Sequence, residues 1–196
     1  MPMATTRTDR TDKGAPAAHQ ERLLGIYLND HLMGATGGVE LARRFLKAHP
    51  APAEESGSGT PDSRPPDHQP SASEGFRQVA DEIVEDRAAL LRIMETLKVP
   101  IRRYKAGVGW IAEKVGRLKS NGSILRRSPL SDLVELEALR TGVEGKAEAW
   151  RVLRTLADSD ERLDAAWLDN LLDRARRQSQ TLEELRLRTA ARVFAA

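Results

Sequence analysis

The chain contains no cysteine. Disulfide scaffolds, thiol chemistry, iron–sulfur ligation and cysteine-based zinc sites are therefore excluded. Aromatic residues make up only 4% of the 196 residues, so any core has to be mainly aliphatic. No apolar run approaches the ~20 residues that a bilayer-spanning helix needs. The opening stretch, Met1 to Gly14, is charged and lacks the apolar segment of a secretory signal. Neither sign of charge dominates: 31 Lys and Arg against 29 Asp and Glu leave a net +2. Bulk charge therefore does not mark a nucleic-acid binder. The Walker pattern Gly-x-x-x-x-Gly-Lys-[Ser/Thr], the nucleophile elbow Gly-x-Ser-x-Gly and the zinc motif His-Glu-x-x-His are all missing. These absences predict a soluble, cytoplasmic, single-domain protein. The excess of arginine over lysine is the composition of a GC-rich bacterial source.

What is present is charge and helical periodicity. Charged residues are 31% and hydrophobic residues 40%. Residues 1–17 read as a flexible tail. Residues 50–73 hold most of the prolines, with Gly57, Gly59 and several serines. They offer no apolar surface and read as a disordered linker within one domain, 18–196. Between these breaks the apolar residues recur at three and four. A first helix is expected over 18–48, with the stripe Leu24, Tyr27, Leu28, His31, Ala35, Gly38, Ala42 and Phe45. A second is expected over 73–98, with Phe76, Val79, Ile83, Leu90, Met94 and Leu97, and with Ser71 and Glu74 as a capping box. A third starts at Ser128 as N-cap and Pro129 as first helical residue. It buries Leu136, Leu139, Val143, Trp150 and Leu153 and ends near Ala157. A fourth starts after Asp158, capped with Glu161, and carries Trp167, Leu171, Ala175, Leu182, Leu185 and Val193. Four long amphipathic helices can bury their stripes only against one another, so an all-α four-helix bundle is expected. The short link between the third and fourth helices makes them an antiparallel hairpin. Residues 101–127 carry a short extra helix near 104–118. They are long enough to cross the bundle, which would make the second and third helices parallel; an up-down-up-down bundle with a decorated loop is the alternative.

Several polar residues fall on the apolar faces when positions are stepped by 100°. They are His31 on the first helix, Asp86 with Glu82 at the edge on the second, Glu135 and Lys146 on the third, and Gln178 on the fourth. Glu40 points away from its stripe. His31, Asp86 and Gln178 lie near mid-helix and can meet in one layer. Unpaired burial of such groups costs several kcal/mol, roughly 2–7 for a neutral polar group, so partners are expected. One reading is a structural layer with His31 hydrogen-bonded to Asp86 and Gln178 nearby. The other is a single divalent metal ion held by His31 and Asp86 with Glu82 or Glu135, since imidazole and carboxylate suit Fe, Mn or Zn. Gly34, Gly37 and Gly38 interrupt the first helix. They allow a neighbouring helix to approach, or leave space for a ligand beside His31, at a propensity cost of ~1 kcal/mol each.

The four long helices, the long connection after the second and the inward carboxylates resemble the ferritin-like superfamily. That resemblance covers residues 18–194 apart from the linker. Members with a di-iron site carry a Glu on each of two helices and Glu-x-x-His on each of the other two. Here the residues three before His19, His31, His49 and His68 are Pro16, Leu28, Leu46 and Pro65. No Glu-x-x-His exists, so the resemblance implies a bundle without the di-iron oxidase centre.

The connection is the most basic part of the chain. Arg102, Arg103, Lys105, Lys114, Arg117, Lys119, Arg126 and Arg127 are opposed only by Glu113. Val108, Ile111, Val115 and Leu118 form an apolar edge beside Trp110. A solvated face docked on the bundle, a backbone-directed site for nucleic acid or another polyanion, and a membrane-surface helix are the three readings. The leading functional expectation is a non-catalytic structural or interaction protein with a protein partner or self-association. A mononuclear metal-binding protein and a polyanion binder are the alternatives.

Overall fold

The computed structural model describes residues 14–50, 72–102 and 128–195. The expected tail up to residue 13, the linker residues 51–71 and the connection residues 103–127, with the extra helix near 104–118, lie outside the described residues. Helix α1 spans Gly14–Ala48, α2 Ala72–Thr96, α3 Pro129–Leu156 and α4 Ala165–Phe194. Among the described residues there is no strand, and no helix is long and apolar enough to cross a membrane.

The helix ends follow local chemistry. Helix α1 begins four residues before the expected Ala18. Helix α3 starts where Ser128 and Pro129 place it: the Ser128 side chain accepts the Ser131 N–H at 3.3 Å, and proline occupies a position that needs no donor. The start of α4 differs from the expectation. Asp158 is not its cap; it accepts from Arg154 at 2.8 Å on the preceding turn. The chain turns through residues 157–164, with Leu163 buried in the turn. Asp164 then caps α4 by accepting the Trp167 N–H at 3.0 Å. Asp164 is followed by Ala-Ala-Trp-Leu, a run that can continue as helix. Asp158 is followed by Ser159 and Asp160, which favour turns.

Side-chain pairs fix the helix directions. Phe45 meets Phe76 at a ring separation of 4.3 Å, and Gly25 faces Val99, so α1 and α2 are antiparallel. Arg44 binds Glu135 and His49 meets Asp132, setting late α1 against early α3. Arg174 binds Glu85 and Arg92 lies over the Trp167 ring, so α2 and α4 are antiparallel. Arg154 with Asp169, and Arg186 with Glu137, do the same for α3 and α4. Each helix thus packs against two antiparallel neighbours: α1 against α2 and α3, and α4 against α2 and α3. Helices α2 and α3 run in the same direction on one diagonal. The chain leaves α2 at one end of the bundle and enters α3 at the other.

The core is one aliphatic cluster along the axis. All six stripe residues of α2 and all five of α3 are buried. In α4, Leu171, Ala175 and Leu182 are buried, whereas Trp167 and Leu185 are partly covered. The α1 face is rotated from the expected one. Leu32 and Val39 are buried, while Leu24, Tyr27 and Ala35 are only partly so. A Cβ on Gly38 would lie 3.9 Å from Ile83, an ordinary packing distance, and one on Gly34 would meet nothing within 4 Å.

Candidate functional site

At mid-height, α2, α3 and α4 each contribute charged or amide side chains to a buried layer. Asp86 of α2 is its centre, only 2% exposed. Its two oxygens accept from different helices. Lys146 Nζ of α3 donates to Oδ2, and Arg174 Nη2 of α4 donates to Oδ1. Gln178 Nε2 of α4 also donates to Oδ2, at 3.0 Å. Gln178 is 1% exposed and every polar atom of its amide is used. Its Oε1 accepts from Lys146 at 2.6 Å, and its Nε2 also donates to Glu82 at 2.9 Å. Arg174 reaches outward with Nη1 to Glu85 at 2.8 Å, and Gln78 donates to the second oxygen of Glu82 at 3.0 Å. The Arg174 Nε is buried without an acceptor among the described residues. Aiming both terminal nitrogens at carboxylates leaves it none.

The electrostatics of the layer are those of a closed ion cluster. Asp86 and the two cations would each be costly to bury alone; Asp86 is bonded to both cations, and Glu85 and Glu82 add negative charge at the edge of the layer. Burial pushes the Lys146 ammonium below its ordinary pKa, and the adjoining Asp86 charge opposes that fall. Both Asp86 oxygens act as acceptors, from two cations and one amide.

The structure brings together some of the expected site residues and separates others. Asp86, Gln178 and Glu82 do meet. His31 is not part of their layer, which corrects the expected His31–Asp86 bond. Its ring is half-buried and lies edge-on to Tyr27 at 4.5 Å, and burial lowers its pKa against the pull of Asp30. The rotation of the α1 face puts Leu32 and Val39 on the seam and moves His31 to its edge. Glu135 is buried far from Asp86, toward the end of the bundle where α3 begins, and is held by Arg44 at 2.6 Å. The ligand set His31, Asp86, Glu82 and Glu135 is therefore not assembled. Among the described residues no three His, Asp or Glu are grouped to hold a metal ion. Of the basic residues in the connection, only Arg102 is described. It is exposed, and its backbone N–H donates to Asn29 Oδ1 at 2.7 Å.

Three residues of consequence stayed outside the sequence reading of the layer. Lys146 falls on the apolar arc of its helix, and a lysine there demands a buried anion, a signal the stripe pattern alone does not assign to a partner. Arg174 carries no signal of its own, because at 100° steps it sits at the stripe edge beside Ala175. His49 closes the α1–α3 contact. It stacks on Phe45 at 4.3 Å, with Nδ1 3.0 Å from the Phe45 carbonyl and Nε2 3.0 Å from Asp132. Both ring nitrogens thus lie within hydrogen-bond distance of an oxygen.

Beside the layer, α2 and α4 frame an open groove of about 350 Å³. Gln178 and Glu82 line it from the layer, and Gly75, Gln78, Arg177 and Arg188 are among its other walls. A scan against models of protein families and searches of curated proteins and of solved structures find no match to this chain.

Proposed function

We propose that this chain is a ferritin-like crossover bundle acting as a non-catalytic structural or interaction protein. The hairpin–crossover–hairpin order, with α2 and α3 running the same way, supports the ferritin-like part. The observation that carries the functional part is the occupation of Asp86 by Lys146, Arg174 and Gln178. In a metal-centred bundle an inward carboxylate at this height meets a cation supplied from solution. Here the chain supplies its own cations, and the layer serves to set the register of three helices. A metal ion at Asp86 would have to displace a lysine and an arginine, leaving two positive groups beside it. The test is elemental analysis of wild-type and Asp86→Asn protein made in medium supplemented with iron, manganese and zinc. Substoichiometric metal in both supports the reading. Stoichiometric metal in the wild type, lost in Asp86→Asn, overturns it.

A second reading is polyanion binding through residues 102–127. The segregation of charge supports it, because eight basic side chains face one acid in a chain that is nearly neutral overall. Contacts to phosphates alone make affinity independent of sequence and steeply dependent on salt. Retention on duplex DNA at low salt, weakened by the joint change of Arg102, Arg103, Arg126 and Arg127 to Gln, is the result expected. Absence of retention at low salt removes this reading.

A further inference from the structure

The groove between α2 and α4 holds an acid and a base that do not neutralise each other. On the α2 wall, Glu82 is half-buried, and its two oxygens accept from Gln78 at 3.0 Å and from Gln178 at 2.9 Å. Both donors are neutral amides, so neither oxygen is bonded to a cation. Gln178 is itself fixed in the buried layer by Lys146 and Asp86. That anchorage holds the Glu82 carboxylate in place at the edge of the groove. On the α4 wall stands Arg177, which is exposed and joined to no carboxylate among the described residues.

The antiparallel register sets these two groups at one height. Gln178 meets Glu82, and Arg174, one turn earlier on α4, meets Glu85, about one turn later on α2. Arg177 immediately precedes Gln178 and so stands level with Glu82. Along the groove from them the lining is apolar: Val79 is buried and Leu185 is partly covered. Gly75 keeps the α2 wall low. A Cβ there would lie 3.5 Å from the Thr181 methyl, an ordinary contact, and a longer side chain would stand in the groove. Farther along, Arg188 faces Glu184 at 3.9 Å, so the remaining charges answer each other. A volume of about 350 Å³ lies at the lower end of the range for small-molecule sites, roughly 300–1,000 Å³.

We propose that this groove binds a free α-amino acid with an apolar side chain. Its ammonium is received by Glu82, its carboxylate by Arg177, and its side chain lies over Val79 and Leu185. An ammonium and a carboxylate on one carbon match an anion and a cation set at one height on opposite walls. A purely cationic ligand would leave Arg177 unanswered, and a purely anionic one would leave Glu82 so. Binding here requires no metal and no contact with Asp86, and it therefore stands or falls separately from the structural role of the layer.

The test is titration calorimetry of the full chain with L-leucine and L-phenylalanine, and with the N-acetyl and amide derivatives of each. At least one of the two amino acids should bind saturably. Its N-acetyl form, which lacks the ammonium, and its amide, which lacks the carboxylate, should each bind at least about tenfold more weakly. Glu82→Gln should abolish the discrimination against the N-acetyl form, and Arg177→Gln that against the amide. Gly75→Met fills the groove without touching the polar layer, and it should abolish binding while the helical circular-dichroism signal is kept. The absence of saturable binding by either amino acid at about 10 mM overturns the proposal. Blocked forms that bind as well as their parents, or binding that survives in folded Gly75→Met, also overturn it. The blocked ligands and Gly75→Met decide the matter even where Glu82→Gln fails to fold.

Discussion

Asp86 shows how one buried carboxylate depends on its neighbours. Replacing it with Leu removes the anion and leaves Lys146 and Arg174 facing each other in the interior. The expected loss is about 3–5 kcal/mol, the usual consequence of breaking one side of a buried ion cluster. The triple change Asp86→Leu, Lys146→Met, Arg174→Met removes all three charges and should recover most of that loss in urea unfolding. Failure to recover would mean that the cluster contributes net stability rather than register alone. His31 gives a pH-dependent counterpart. Burial lowers its folded pKa below the unfolded value, so the unfolded chain binds the proton more readily. Wild-type stability should therefore fall as pH drops from about 7 to about 5. His31→Phe should flatten that part of the profile. Identical profiles for the two proteins would show that His31 is as solvated in the fold as in the unfolded chain.

Among the elements, α3 carries two glycines without a structural use for them. A Cβ on Gly142 or Gly145 would meet nothing within 4 Å, and the helix continues through both. Gly142→Ala and Gly145→Ala should each raise stability by about 0.4–1 kcal/mol, chiefly by narrowing the unfolded ensemble. A loss in the thermal midpoint of either variant would mean that the site is less open than its geometry. The ends of α3 and α4 depend on different things. Ser128 and Pro129 act through the backbone next to them, so the start of α3 could be read from two residues. The start of α4 could not, because Asp158 and Asp164 are both adequate caps. The choice went to Asp164 once Leu163 was buried and Arg154 had claimed Asp158.

For the whole molecule, the decisive feature is that α2 and α3 point the same way. Each hairpin closes locally, but their union depends on core contacts across α1–α3 and α2–α4, together with the Asp86 layer. Limited proteolysis should cut first within the Pro-, Ser- and Gly-rich residues 51–71, which have little apolar surface to offset ordering entropy. The α1 fragment should stay bound to the rest, because Leu28, Leu32, Val39, Ala42 and Phe45 are all buried in the shared core. Size-exclusion chromatography of the nicked protein should give one species at the mass of the intact chain. Separate elution of the fragments would contradict a core shared by all four helices.

The periodicity of apolar residues by itself determined four helices, their approximate limits, and the buried faces of α2 and α3. Those features depend on spacing within one element, and 3.6-residue geometry converts spacing directly into a face. It also placed Asp86 and Gln178 inside. Which helices are neighbours, and so which side chains meet, was decided only by the tertiary structure. His31 and Asp86 satisfied the same stripe criterion, yet a modest rotation of α1 sent His31 to the edge. Lys146 and Arg174, from two other helices, took the carboxylate instead. A buried anion requires cations, but the one-dimensional pattern does not say from which helix they come. That choice depends on how the helix pairs are rotated, and packing volume along the whole bundle sets that rotation.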